Sequence, residues 1–229
     1  MIEKKIHYIW VGRNPLTPLA IQCIESWKKY CPDYEIIEWN EDNLDINSSL
    51  HCKQAYELKK WGFVVDYLKP YLLYHHGGIY MDTDMELFES LDKFLHLPAF
   101  FGFENHEYLG TAIIGAEKGH HLMKEIMEFY VTASFIKPNG KPDHTTGPAH
   151  TSRIIKELYP DFMRNNTEQH LDSFTTYPVE YFYPMEFGST TINRTSNTHG
   201  IHHFVASWKK PPSLRKRIKK AIKGFFSKK

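Results

Sequence analysis

Two aspartates one residue apart, Asp82-Thr83-Asp84, follow the apolar run Ile79-Tyr80-Met81 and a Gly77-Gly78 pair. In an extended segment, residues two apart project to the same side. The spacing therefore predicts two carboxylates aimed at one point where a strand leaves its sheet. Such oxygen ligands suit hard divalent cations, Mn²⁺ or Mg²⁺, which usually complete their shells with phosphates and water. A cation held there stabilises the charge that develops on a departing diphosphate. Two loop carboxylates also cap turns and helices, and Asp-x-Asp by itself does not separate these readings. The strand before it, the glycine turn before that, and Asp66 on the preceding helical segment favour the metal reading.

Other side chains carry chemistry with less context. His202 and His203 are adjacent, so on a strand they face opposite ways and one alone can serve a site; an imidazole is a reasonable Mn²⁺ ligand, and a surface pair is the plain alternative. Trp10 precedes a glycine-containing loop and reads either as a core aromatic or as a stacking platform. Thr145-Thr-Gly-Pro148 reads either as a simple helix N-terminus with proline in its first turn or as one whose free N–H groups take an anion or hydroxyl. Glu104, after an apolar strand, reads as a solvated carboxylate, with acceptor binding as the alternative.

The elements that must position these residues alternate. Strands are expected at 6–10, 34–39, 79–81, 100–103 and 112–116, and helices from 19 to near Pro32, around 54–60, over 63–74, at 121–130 and from the 145–148 segment to near 159, with short strands and turns over 174–208. Pro70 falls inside the third helix and should kink or reshape it. This order predicts an α/β fold, a mostly parallel sheet with flanking helices. Such sheets bind ligands at the carboxyl ends of their strands, where Asp82 and Asp84 would lie.

The run from Val65 to Asp84, Val-Asp-Tyr-Leu-Lys-Pro-Tyr-Leu-Leu-Tyr-His-His-Gly-Gly-Ile-Tyr-Met-Asp-Thr-Asp, resembles the core signature of glycosyltransferase family 32, sugar transferases with a DXD motif. That family includes yeast mannosyltransferases and bacterial capsule enzymes, and is related to the clostridial glucosylating toxins. Ile6-His-Tyr-Ile-Trp-Val-Gly12, Ala112-Ile-Ile-Gly-Ala116 and His202-His-Phe-Val-Ala-Ser-Trp208 fit as well. The resemblance implies a GT-A type fold and a retaining transfer of a hexose from a UDP- or GDP-sugar to a glycan hydroxyl. The acceptor it implies is a lipid-linked capsular or surface polysaccharide precursor. Carried over by position, Trp10 stacks on the base, Asp66 holds sugar hydroxyls, and Tyr80 and Asp82 contact the donor. Asp84 and His202 ligate the metal, and Ser207 and Trp208 reach the β-phosphate. The resemblance makes Asp82 and Asp84 the expected catalytic pair. Lys69 stands in the donor site where the family usually has arginine, giving a point charge in place of a planar fork.

Charge divides the chain. Lys209 to Lys229 hold ten basic residues and no acidic one, leaving 18 basic against 27 acidic residues in 1–208, a net −9. An acidic body argues against nucleic-acid binding. In the tail, Leu214, Ile218, Ile222, Phe225 and Phe226 share one helical face among lysines and arginines, which predicts a basic amphipathic helix on an anionic membrane surface; a solubilising tail, or a helix packed on the acidic body, is the alternative. The expected organisation is a catalytic domain over 1–208 and this tail over 209–229. Three cysteines without a Cys-x-x-Cys pair suit a reducing compartment, and no leader or span is evident. The expected location is therefore cytoplasmic, peripheral at the inner membrane face. The competing readings are a haloacid dehalogenase-like phosphohydrolase, which normally has a small pair where Met85-Glu86 stands, and a non-catalytic metal- or glycan-binding module.

Overall fold

The computed structural model describes residues 1–205. Strand β1 (Lys5–Ile9) leads to helix α1 (Pro18–Tyr30), β2 (Glu35–Trp39), α2 (Leu50–Glu57) and α3 (Trp61–His76). Then come β3 (Gly78–Met81), β4 (Met85–Leu87), β5 (Ala99–Phe103), β6 (Leu109–Ala116), α4 (His121–Thr132) and α5 (Gly147–Leu158). The last described stretch holds β7 (Gln169–His170), β8 (Thr175–Tyr177), α6 (Val179–Phe182) and β9 (Gly200–His202).

Local chemistry sets several boundaries. Thr17 caps α1 by accepting from the Ala20 N–H, with Pro18 preset for the first turn, and Ser49 caps α2 through Cys52 N–H. Helix α3 runs unbroken through Pro70 and stops where Gly77 and Gly78 take φ of 64° and 98°. A Cβ on Gly78 would press on the Lys5 carbonyl 2.9 Å away, so the turn needs glycine for space as well as for backbone.

Seven strands form one sheet in the order β2-β1-β3-β6-β5-β8-β7, and β4 pairs with β9 in a separate two-stranded ribbon. β1 is parallel to β2 and β3, and β5 to β8, while β6 runs against β3 and β5 and β7 runs against β8. Five of the seven strands therefore point the same way, as the alternating elements predicted. Each face carries its own core. Tyr80 and Phe101 pack with α3 and α4 residues such as Leu68, Leu72 and Ile126. Ile79, Met81 and Phe100 pack on the opposite side with Trp27 of α1, Phe94 and Phe182. That is the strand alternation expected of a sheet covered on both faces. Each fully buried phenylalanine or leucine contributes about 1.5–3 kcal/mol, so both layers hold β3 and β6, the strands beneath the acidic triplet. Among the described residues no helix is long and apolar enough to cross a membrane.

Candidate active site

The triplet sits in a turn. The Asp82 N–H donates to Ala112 O at 2.8 Å, extending the β3–β6 ladder by one residue, and Met85 N–H returns to Asp82 O at 2.9 Å. Asp82 and Asp84 thus converge through a tight turn between β3 and β4, not through the side-to-side alternation of an extended segment. Helix α1 clamps the far side: Trp27 Nε1 donates to Met85 O at 2.6 Å, and Ser26 Oγ accepts from Leu87 N–H at 2.9 Å.

The partner ribbon strand closes the site. β9 sets His202 opposite Met85, which brings His202 Nε2 to 3.1 Å from Asp84 Oδ1. Val205 N–H donates to Asp84 Oδ2 at 2.9 Å. His203 turns the other way, its Nε2 2.8 Å from Glu86, as adjacent strand residues must. Burial raises the Asp84 carboxyl, but His202 and the Val205 N–H outweigh it and hold the group ionised. Burial likewise pulls His202 down, and Asp84 beside it raises the imidazole above its ordinary value.

Asp82 is engaged on its protein side. Lys69 Nζ lies 3.0 Å from its Oδ1 and 3.0 Å from Thr111 O, and Tyr80 Oη donates to Oδ1 at 2.8 Å. The Lys69 side chain is only 4% exposed. Its ammonium is therefore occupied by the triplet, although its stem still lines the cleft.

Asp66 lies one helical turn from Lys69 and is buried against the start of α5, where a Cβ on Gly147 would collide with its carboxylate. Burial raises it to about 7, with Lys69 pulling back. Glu104 follows β5 and faces the same cleft, and burial raises it too, to about 7. The expectation of a solvated Glu104 is thus corrected: β5 ends at the rim of the site, and the cleft wall covers the carboxylate. Trp10, just after β1, faces the cleft from the opposite flank, with its indole N–H given to Asn14 O at 2.6 Å. The cleft measures about 600 Å³ and is lined by Trp10, Asp66, Lys69, Tyr80, Asp82, Asp84, Glu104 and His202 among others. Ser207, Trp208 and the basic tail lie outside the described residues.

One ligand atom from each of Asp82, Asp84 and His202 falls within 4.8 Å of the others, the one such group of three among the described residues. Two carboxylates and an imidazole suit a hard-to-borderline divalent cation, so the residues present fit a metal of that kind. Sequence reasoning missed Trp27, which fixes β4 from behind, and Tyr183, whose ring stands edge-on to His202 at 5.7 Å. Trp27 was visible as an apolar helix position, but its bond to Met85 was not. Tyr183 gave no signal at all.

Residues 18–100 match the family model of the glycosyltransferase sugar-binding region containing the DXD motif. This stretch is similar to DXD-type sugar-binding regions. It carries Asp66, Lys69, Tyr80 and the triplet, while Trp10, Glu104 and His202 join it from outside its bounds. Subversion of eukaryotic traffic protein A of Legionella pneumophila is 26% identical over 161 residues, 56% of this chain and 24% of its own length. Inositol phosphoceramide mannosyltransferase 3 of Schizosaccharomyces pombe is 25% identical over 134 residues, 55% of this chain and 36% of its own length. The chain thus spans well under half of these relatives. The solved PaToxG glycosyltransferase superposes with a TM-score of 0.56 at 16% identity, over 69% of this chain and 70% of that one. The chain accordingly has a GT-A type fold.

Proposed function

We propose that this chain is a metal-dependent glycosyltransferase moving a hexose from a nucleoside diphosphate sugar to a glycan hydroxyl, with retention at the anomeric carbon. The observation that carries the reading is the convergence of Asp82, Asp84 and His202 in the cleft of a DXD-type sugar-binding region. Asp84 and His202 are the direct cation ligands, and Mn²⁺ is the preferred ion for their mixed oxygen and nitrogen set. The cation, when bound, neutralises charge on the leaving diphosphate. Asp82, fixed by Lys69 and Tyr80, contacts the donor. Asp66 hydrogen-bonds sugar hydroxyls from the floor, and Trp10 stacks on the base. Ser207 and Trp208 are assigned to the β-phosphate by position in the sequence.

A relative named as an inositol phosphoceramide mannosyltransferase supports a mannosyl donor and a lipid-linked acceptor as first choices. A capsular or surface polysaccharide precursor is the proposed acceptor. We assign 1–208 as the catalytic domain and the tail over 209–229 as an anchor to an anionic inner membrane face. Removing the tail after Trp208 should abolish co-sedimentation with anionic liposomes.

The deciding experiment incubates the protein and Mn²⁺ with UDP-Glc, UDP-Gal, UDP-GlcNAc, UDP-GalNAc and GDP-Man and follows nucleotide release. Release with one donor, lost in Asp84→Ala, is expected. Phosphate released from simple phosphomonoesters would point instead to a haloacid dehalogenase-like hydrolase, and metal binding without turnover to a binding module.

A further inference from the structure

The triplet divides the cleft. Trp10 follows β1, which neighbours β3 on one side, whereas β6 and then β5 lie on the other. Strands in a sheet are spaced by about 4.8 Å, so the end of β5 stands roughly 10 Å across the sheet from the end of β3. β5 and β3 both run against β6, so their carboxyl ends reach the same rim, and Glu104 directly follows β5. Thr111 and Ala112 of β6 line the cleft between Glu104 and the triplet.

The carboxylate is held there without being used by the fold. The β5–β6 connection is fixed by Glu104 N–H to Tyr108 O at 3.0 Å and by Asn105 Oδ1, which accepts from the N–H groups of Glu107 and Tyr108 at 2.8 Å each. Yet among the described residues the donor nearest the Glu104 carboxylate is the Asn105 amide, at 3.5 Å, a marginal contact. The two aspartates of the triplet are committed, Asp82 to Lys69 and Tyr80 and Asp84 to His202 and Val205. Asp66 lies on the floor against the start of α5, which leaves Glu104 as the acidic group on the β5 flank. A partly buried carboxylate without donors loses its hydration with little in return, which fits a group that a ligand's hydroxyls complete. Its rise to about 7 reflects that desolvation, which His202 and Lys69 only partly offset.

We propose that Glu104 is the acceptor-binding residue, taking a hydrogen bond from a hydroxyl of the incoming sugar on the flank of the triplet opposite Trp10. The proposal rests on the transferase reading, since a diphosphate at the triplet and a base at Trp10 leave the Glu104 flank for the acceptor. The acceptor class it favours is a polyol presenting free hydroxyls, not a phosphate, which the carboxylate would repel.

The test compares the protein with Glu104→Gln and Glu104→Asp, using Mn²⁺, the best donor from the screen, and methyl glycosides of glucose, galactose and mannose as acceptors. Transfer to the glycoside and hydrolysis of the donor by water are followed together. Loss of a charge-assisted hydrogen bond should raise the acceptor KM about ten- to a hundredfold in Glu104→Gln. The transfer-to-hydrolysis ratio should fall with it, the donor KM should move far less, and Glu104→Asp should lie between. An unchanged ratio, or a donor KM that rises in step with the acceptor KM, overturns the proposal. So does a wild-type protein that hydrolyses donor but glycosylates none of the three sugars. A wild type with no donor turnover at all instead removes the transferase reading beneath it.

Discussion

Lys69 Nζ sits 3.0 Å from Asp82 Oδ1, with the lysine almost fully buried and the aspartate a quarter exposed. The first aspartate of the triplet is therefore already neutralised by the protein, and the second is not paired to any lysine or arginine among the described residues. This asymmetry separates two residues that look alike in the sequence: Asp82 is a fixed, hydrogen-bonded fixture, and Asp84 shares its charge with an imidazole that a cation can displace from it.

The pair is open to a double-mutant cycle. Lys69→Met alone removes the ammonium from Asp82, which keeps the Tyr80 hydroxyl, and leaves Thr111 O without that donor. It should lower the unfolding free energy by about 1–3 kcal/mol, discounted because Asp82 reaches solvent. Adding Asp82→Asn should recover part of that loss, with a coupling energy of about 1 kcal/mol or more in urea unfolding. Additive effects would mean that the contact carries no stability.

The division of labour predicts unequal effects on metal binding. Asp84→Asn and His202→Ala should each abolish Mn²⁺ binding followed by the electron paramagnetic resonance of the free ion. Asp82→Asn should weaken it by about tenfold, as expected of a residue that orients the site more than it ligates. Chelation should halt nucleotide release and added Mn²⁺ restore it. Equal losses in all three variants would erase the distinction between the aspartates.

The sequence made the sheet legible because its strands are short apolar runs punctuated by glycine and proline, and local signals of that kind report local structure. The triplet stood out for the same reason, directly after such a run, whereas Asp66 and Trp10 were singled out by the family resemblance, and the structure shows that both face the cleft. What stayed hidden is set by contacts far apart in the chain. The turn at Asp82-Thr83-Asp84 depends on β4, a strand of three residues whose partner is β9, and nothing in Met85-Glu86-Leu87 announces it. Glu104 looked solvated because its sequence neighbours, Asn105 to Glu107, are polar, whereas its surroundings come from β6 and the ribbon. The lysine in place of arginine was seen; that its ammonium is spent on Asp82 required coordinates.

His7 gives a pH dependence of known sign. It is fully buried on β1, with Trp39 Nε1 donating to its Nδ1 at 3.0 Å and its Nε2–H donating to Gly77 O at 2.7 Å. That pattern requires the neutral ring, and burial lowers its pKa from 6.5 to about 4. The unfolded chain then binds the proton more readily, so the stabilisation is complete above pH 6.5 and drains away toward pH 4. Asp66 and Glu104, raised by burial, act in the opposite sense, so the comparison must be between variants. The stability advantage of wild type over His7→Phe should shrink by about 2 kcal/mol between pH 7 and pH 5. Parallel curves would show that His7 does not titrate in this range.

Tyr183 tests whether the wall behind the metal residues matters to them. Its buried hydroxyl accepts from the N–H groups of Ala112 and Ile113 at 3.1 and 3.3 Å, and Ala112 O in turn receives the Asp82 N–H. The same ring stands against His202. Tyr183→Phe keeps the ring but leaves two strand N–H groups without that acceptor, which should cost about 1–3 kcal/mol in stability. Because both Asp82 and His202 lean on this residue, Mn²⁺ affinity should also fall, by about tenfold, at temperatures well below the melting transition. A stability loss with Mn²⁺ affinity intact would reduce Tyr183 to packing, and would mean that the β4–β9 ribbon alone holds His202 in place.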